Sequence, residues 1–519
     1  MQMRQIRILW VDDEIGVLRS YILYLEEKGF ETDTCHSGND AIAMVREKAY
    51  DIIFLDEHMP GLSGIETLRR IKAIRPAIPV VMITKSEEED IMDAAIGSQI
   101  ADYLIKPVKP QQILLTLKRI LNIEEIVARQ TTTVFREEFS SIADMISSAS
   151  TFEQWSELYR RLTFWQGELI RSPDTGMREV LRMQESDANR AFAKYISGNY
   201  MKWVSAGAAD RPLMSPAVLS KRIFPMISRE TPLFFIIIDN MRLDQWQTIA
   251  GDLRKVMRIV DEELYLSILP TTTQYSRNAL FAGLMPAAIE ELMPEYWIDD
   301  HEDEGKNLHE EQLLSKNLLR AGINCRWSYN KINSDAEGRS VNDRIAQLMG
   351  NDLNVLVYNF VDMLSHARTE INLIRDLTAD EASWLTLTHS WFIHSPLMEL
   401  LRFVSSRGAR VVFTTDHGSV RVQRPLKVVG DRQTSMNLRY KMGRNLDYNP
   451  REVFEITAPA KAGLPMVNIT SRYIFACAND FLVYPNNYNS VVAYYRDSFQ
   501  HGGISMQEML LPLVSLEPL

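Results

Sequence analysis

Two blocks of this chain alternate short apolar runs with amphipathic stretches, and a block without strand signals separates them. In residues 1–122 the apolar runs are Arg7–Val11, Asp51–Leu55, Pro79–Thr84 and Ala101–Ile105, with helical periodicity in Val17–Lys28 and Ile65–Ile74. In residues 217–519 the runs are Leu233–Ile238, Leu264–Leu269, Val355–Phe360 and Arg410–Thr414. Runs of this length, spaced by helical stretches, predict parallel sheets covered by helices, so both blocks are expected to be α/β. Residues 123–216 place Phe152, Trp155, Leu158, Tyr159, Leu162 and Leu169 at helical spacing, which predicts a packed helical bundle. Ser205–Pro216, with its glycine, aspartate and two prolines, reads as a linker. Three domains also agree with a length of 519 residues at roughly 150 per domain.

Composition excludes several classes. Hydrophobic residues make up 46% and charged residues 24%, so the chain is neither disordered nor fibrous. A net charge of −11 argues against global attraction to DNA or to an anionic membrane. The odd, scattered Cys35, Cys325 and Cys477 offer no disulfide framework. Asp12-Asp13-Glu14 interrupts the first apolar run, so no secretory signal is expected. No apolar stretch approaches the roughly 20 residues of a membrane span. A soluble, cytoplasmic protein without membrane insertion is the expectation.

The chemistry-bearing residues sit at the ends of the apolar runs. Asp12 and Asp13 follow the first, Asp56 ends the second, Thr84 ends the third and Lys106 follows the fourth. Ligands gather at the carboxyl ends of parallel strands. Three carboxylates gathered there repel one another unless a hard cation such as Mg²⁺ joins them. A carboxylate nucleophile, a cation, a hydroxyl and an ammonium together suit an aspartyl phosphate.

Asp12-Asp13, Leu55-Asp56 followed by Met59-Pro60-Gly61, Thr84 and Lys106-Pro107 resemble the response-regulator receiver family, with its flavodoxin-like fold. The resemblance implies that Asp56 accepts phosphate from a sensor histidine kinase. It further implies Mg²⁺ held by Asp12, Asp13, Asp56 and the main-chain carbonyl of His58. Thr84 and Tyr103 would be the switch pair, Lys106 would contact the phosphate, and phosphorylation would promote a homodimer.

Receiver domains are often joined to DNA-binding domains, but no helix-turn-helix signature is present here. Instead, metal-ligand residue types recur at strand ends. Asp239 follows Ile236-Ile237-Ile238. Asp362 precedes His366 by four residues, Asp416-His417 follows Thr414-Thr415, and His501 stands near the end. Mixed carboxylate and imidazole ligands suit Zn²⁺ or Mn²⁺ better than Mg²⁺. Six ligands serve two sites of three, and two metals can clamp a phosphoryl transfer. Thr271-Thr272-Thr273, after Pro270 and before a helical stretch, supplies candidate nucleophiles, since a cation and a helix start both acidify a hydroxyl.

This motif order resembles the alkaline phosphatase superfamily in its PglZ branch, across roughly residues 225–519. The resemblance implies two zinc ions, one held by Asp239, Thr273, Asp416 and His417, the other by Asp362, His366 and His501. Thr273 is favoured as nucleophile because nucleotide pyrophosphatase/phosphodiesterase relatives show Pro-x-x-Thr with Gly ten residues later, as in Pro270, Thr273 and Gly283. Thr271 and Thr272 stay open, and Gln274-Tyr275 departs from the aromatic-proline of those relatives.

Arg402–Arg444 holds ten Lys or Arg against only Asp416 and Asp431, so a local field for an anionic substrate is expected. Ala287–Glu311 is acidic and reads as a solvated surface. Nucleotide or oligonucleotide phosphodiesters are the expected substrates. The domain order, with Arg7–Glu14, resembles the PorX-like response regulators of type IX secretion in Bacteroidetes. That implies an output through secretion genes or the secretion machine, with a sigma factor or a secretion-machine component as partner. The competing reading is a non-enzymatic regulator whose zinc-stabilised PglZ domain binds such a component.

Overall fold

The computed structural model describes residues 6–84, 100–170, 175–205, 208, 210–298, 307–370, 378, 380–430, 434–466, 468 and 470–519. The chain divides into two compact units, Met1–Thr131 and Thr132–Leu519.

The first unit is built on a five-stranded parallel sheet of β1 (Arg7–Val11), β2 (Glu31–Cys35), β3 (Ile52–Asp56), β4 (Val80–Thr84) and β5 (Asp102–Ile105), in the order β2-β1-β3-β4-β5. Leu9, Val11, Ile53 and Leu55 enter one core while Ile8, Trp10, Ile52 and Phe54 enter another. Burial on both faces explains why these strands read as unbroken apolar runs. β2 escaped the sequence reading because it is an edge strand, Glu-Thr-Asp-Thr-Cys, with only Cys35 buried. Ser37 and Ser63 cap helices Gly38–Glu47 and Gly64–Ile74 by accepting from the amides of Asp40 and Glu66.

Helix Pro110–Ser148 runs through residue 122. Its Ile113, Leu117 and Ile120 belong to the first unit's core, and its Phe135 and Ile142 to the second's.

The second unit centres on a six-stranded mixed sheet. It contains β6 (Leu233–Ile238), β7 (Met257–Leu266), β8 (Trp327–Ile332), β9 (Leu353–Tyr358), β10 (Arg410–Thr414) and a last strand, Leu510–Pro518, that is antiparallel to both β10 and β7. The order is β7, the last strand, β10, β6, β9, β8, with β8, β9, β6 and β10 parallel. Two sequence expectations shift. The strand expected at Leu264–Leu269 ends at Leu266 and begins at Met257, because the exposed Arg258 and Asp261 and the half-buried Glu262 on this edge strand masked its first half. The run Val355–Phe360 stops at Tyr358, and Phe360 opens helix Phe360–Glu370.

Helices Phe152–Ile170 and Thr175–Val204 pack on this sheet and share one core with it. The aromatic stripe is core packing: Trp155, Leu158, Tyr159, Leu162 and Leu169 are buried, and Trp155 meets Phe192 at 5.5 Å. The linker segment is packed at its end, where Met214 bridges to Leu266. Among the described residues no helix is long and apolar enough to cross a membrane.

Small sheets flank the main one, including Tyr440–Gly443 paired with Arg472–Ala476. On Tyr440–Gly443 the buried Lys441 donates to the Ser435 carbonyl at 3.1 Å and lies over the Tyr484 ring. Burial pushes its ammonium down to about 7, from the ordinary lysine value near 10.5. Between these values the unfolded chain holds the proton and the folded chain does not, so this residue makes stability rise with pH from about 7 to 10.5. Lys441→Met is expected to stabilise the protein at pH 7 by about 1–2 kcal/mol and to remove that rise, measured by urea unfolding from pH 6 to 10.

Candidate functional site

The carboxyl ends of β1, β3, β4 and β5 bring the first constellation together. The carboxylate oxygens of Asp12, Asp13 and Asp56 lie within 4.8 Å of one another, a spacing that one cation would bridge. Lys106 Nζ reaches Asp12 at 3.0 Å and Asp56 at 2.9 Å. Burial raises the Asp56 carboxyl above the usual carboxylate value, although Lys106 opposes the shift. Thr84 is buried at the end of β4, Tyr103 on β5 is 38% exposed, and His58 is exposed two residues beyond Asp56. The Lys106–Pro107 peptide is cis.

The second constellation forms two triads in the second unit: Asp239, Asp416 and His417, and Asp362, His366 and His501. Asp239 leaves β6 and Asp416 follows β10, so adjacent parallel strands deliver them to one end of the sheet. Asp362 and His366 are one turn apart on helix Phe360–Glu370 after β9.

His417 Nε2 stands 3.6 Å from Asp239 and 3.5 Å from Asp416, while His366 and His501 stand 3.5 Å and 3.8 Å from Asp362. These separations are long for hydrogen bonds, yet near the ~3.3 Å edge of a tetrahedron with ~2.0 Å metal bonds. The buried Asp239 Oδ1 has no hydrogen-bond partner, as expected of an atom reserved for a cation. Burial, then the neighbouring His417, lowers His501, which keeps it in the neutral form a metal ligand requires. The His417 and His501 rings stack at 4.4 Å, so the triads are contiguous.

The three threonines differ. Thr271 Oγ1 donates to the Gly503 carbonyl and accepts from the Gly502 amide, both at 3.0 Å. Gly502 has φ +123°, a backbone conformation suited to glycine. Thr272 Oγ1 is buried without a partner. Thr273 is only half-buried, begins the π-type turn Thr273–Arg277, and its Oγ1 lies 3.0 Å from His417 Nε2. Gly283, ten residues on, closes the next helix at φ +63°, where a Cβ would meet the Asn317 amide.

The profile of the PglZ alkaline phosphatase-like domain of BREX systems matches residues 218–516, well over half of the chain. The chain belongs to the PglZ family. The receiver profile matches residues 8–118, and that of the PorX response-regulator linker domain matches residues 125–204, which completes a PorX-like architecture. The chain thus joins a response-regulator receiver domain to an alkaline phosphatase-like PglZ domain.

Curated relatives match at the receiver end. The transcriptional regulatory protein ResD of Bacillus subtilis is 37% identical over 120 residues, 23% of this chain and 50% of ResD. ZraR of Salmonella typhimurium is 36% identical over 117 residues, 22% of this chain and 26% of ZraR. The match thus spans half or less of each relative. Among solved structures, the chemotaxis protein CheY4 of Vibrio cholerae is 26% identical, covering 22% of this chain and 99% of that one, with a TM-score of 0.22. A receiver domain from Clostridium thermocellum is 30% identical, covering 23% and 98%, also with a TM-score of 0.22.

Sequence reasoning missed the groups that organise the PglZ site. Fully buried Arg277, one turn beyond Thr273, pairs with Asp239, with Asp416 at 3.0 Å and with Glu310 at 3.2 Å. Burial raises Asp239 well above the usual carboxylate range, whereas for Asp416 burial, the largest single influence, is outweighed by Arg277 and His417 together, which hold the carboxyl low. Asn240, at φ 62°, donates to Asp362 at 3.1 Å and so ties one triad to the other. Its signal was the Asp-Asn pair at a strand end, since asparagine tolerates the left-handed region.

Two expectations are corrected. Ala287–Glu311 is not wholly a solvated surface, because Glu310 is buried against Arg277, Tyr329 and Lys331; residues 299–306 lie outside the described residues. The basic run 402–444 is mixed rather than one open positive face: Arg402, Arg407, Arg424, Lys427 and Arg444 are exposed, whereas Arg439 and Lys441 are buried. Arg439 is fully buried against Glu508, Arg424 pairs with Asp480 and Arg421 with Asp497. Glu508 in turn accepts from the Gly503 amide at 2.9 Å, so Arg439 steadies the His501 segment. Asp431 and Arg432 lie outside the described residues.

Proposed function

We propose that a sensor histidine kinase phosphorylates Asp56, and that the PglZ domain is a two-zinc phosphodiesterase acting on nucleotide or oligonucleotide phosphodiesters. In this reading the protein is cytoplasmic, regulates type IX secretion and dimerises on phosphorylation. A sigma factor or secretion-machine component would receive its output. The observation that carries the hydrolase reading is Thr273 Oγ1, a half-buried hydroxyl 3.0 Å from His417 and beside two contiguous triads.

Asp239, Asp416 and His417 would hold one zinc ion, with Thr273 beside it, and Asp362, His366 and His501 the other. The ions supply Lewis-acid stabilisation of the phosphoryl oxygens. Thr273 Oγ1 attacks phosphorus, the bond to the leaving alcohol breaks, and water then cleaves the phosphothreonine and restores the hydroxyl. Arg277 holds Asp239 and Asp416 in place, and Asn240 orients Asp362. In the receiver, Lys106 fixes Asp56 and Asp12, and Asp12, Asp13 and the His58 carbonyl would complete a Mg²⁺ site around the phosphoacceptor. Thr84 and Tyr103 would read the phosphorylated state.

Purified protein is expected to carry about two zinc ions per chain and to cleave bis(p-nitrophenyl) phosphate, with turnover lost on complete chelation. Turnover that survives complete chelation rejects the hydrolase reading. Zinc without turnover would favour a zinc-stabilised recognition module. Acetyl phosphate with Mg²⁺ is expected to raise the dimer fraction of the native protein in light scattering, and Asp56→Asn to abolish that response. An unchanged mass at confirmed phosphorylation rejects the dimer.

A further inference from the structure

A cavity of about 440 Å³ lies between helices Phe152–Ile170 and Thr175–Val204 and the PglZ domain, and none of the six metal-triad residues lines it. Its size is in the range of small-molecule sites, which favour such interfaces. Arg178, Arg182, Glu185 and Asn189 form one stripe of helix Thr175–Val204, at i, i+4, i+7 and i+11, where packing alone would call for apolar residues.

Most charges around the cavity are matched. Arg242 pairs with Asp244 and Glu381, Arg182 with Glu179, and Arg421 with Asp497. Two groups remain. Arg178 Nε is buried without a hydrogen-bond partner among the described residues, and its charge lies near enough to Asp380 to lower that carboxyl. Glu185, half-buried on the cavity wall, has no hydrogen bond to a described residue. Burial, with Glu381 and Asp244 nearby, pushes its carboxyl up to about 8, although Arg242 and Arg182 oppose the shift. Its carboxyl oxygens can accept from an amino group, and in the protonated form one of them also donates.

A guanidinium and a carboxyl two helical turns apart on one wall, about 10 Å, call for a ligand with an anion at one end and an amino-bearing polar edge at the other. A phosphate joined through a ribose to an amino-bearing base spans a comparable length. We propose that this cavity binds a nucleoside monophosphate, its phosphate held at Arg178 and its base edge at Glu185.

The site is poised to influence the metal centre. Arg242 and Arg368 each place a guanidinium 4.9 Å from the Phe499 ring, two residues before His501. Gln507, also on the cavity wall, accepts a hydrogen bond from Asn189 at 2.9 Å.

The test is calorimetric titration of the full-length chelator-treated protein with AMP, GMP and CMP, a readout that needs no hydrolysis. At least one nucleotide is expected to saturate a single site below about 1 mM. Arg178→Gln, and Ser186→Trp, which fills the cavity, should each weaken binding at least tenfold with melting unchanged. Asp416→Asn should leave it intact. No saturation with any of the three overturns the proposal, as does binding that Asp416→Asn removes while Arg178→Gln and Ser186→Trp do not. Hydrolysis of bis(p-nitrophenyl) phosphate by the native zinc-loaded protein is read separately, which keeps a failure here distinct from a failure of the hydrolase reading.

Discussion

Thr273→Val is expected to lower zinc-dependent hydrolysis of bis(p-nitrophenyl) phosphate by at least about 10³-fold while changing stability by less than about 1 kcal/mol. Valine keeps the β-branched shape and removes only the oxygen, whose hydrogen-bonding contact is the His417 ring. The neighbouring threonines give the opposite pattern. Thr271→Val breaks two hydrogen bonds that fix the Gly502–Gly503 turn and should destabilise the fold by about 1–3 kcal/mol. Thr272→Val removes a buried hydroxyl that has no partner and should be neutral or slightly stabilising, with turnover retained. Single-turnover kinetics and thermal melting on the three variants separate these outcomes. Loss of turnover in Thr272→Val with Thr273→Val active would reassign the nucleophile.

Arg277→Met is expected to destabilise the metal-free protein by about 3–5 kcal/mol, because the exchange leaves Asp239, Asp416 and Glu310 buried with their shared cation gone. Zinc should recover part of that loss, since a metal ion neutralises Asp239 and Asp416 but not Glu310. Guanidinium chloride unfolding with and without chelator reads the difference. The native protein should gain less from zinc than the variant does. A loss below about 1 kcal/mol in the metal-free variant would show that the three carboxylates do not depend on Arg277.

Most of the site was legible because its residues follow strands whose apolar character is unambiguous. Asp12, Asp56 and Thr84 sit at or beside the ends of runs buried on both faces, and so do Asp239 and Asp416, while Lys106 follows the partly exposed edge strand β5. What escaped was set by neighbours distant in the chain. Arg277 pairs with groups 33 and 139 residues away, and neither distance leaves a local pattern. Glu310 lay in an acidic stretch whose composition is that of a solvated surface, until Arg277, Tyr329 and Lys331 surrounded it. The basic run misled only in part, for the mirror reason: a charge count cannot tell exposed Arg402 or Arg444 from Arg439, paired inside the core.

By itself, the sequence determined the α/β character of both ends, the helical stretch between them, and the residues that gather into one aspartate cluster and two aspartate–histidine triads. Side-chain period and the chemistry of strand ends are local properties, so they can be read in one dimension. Only the tertiary structure decided which threonine hydroxyl stands free beside His417, how Arg277 balances the buried carboxylates, and that a polar cavity lines the helical bundle. Those outcomes depend on burial and on which opposite charge arrives from elsewhere in the chain. Electrostatic energies inside a protein are set by those two quantities, and neither is carried by any single segment.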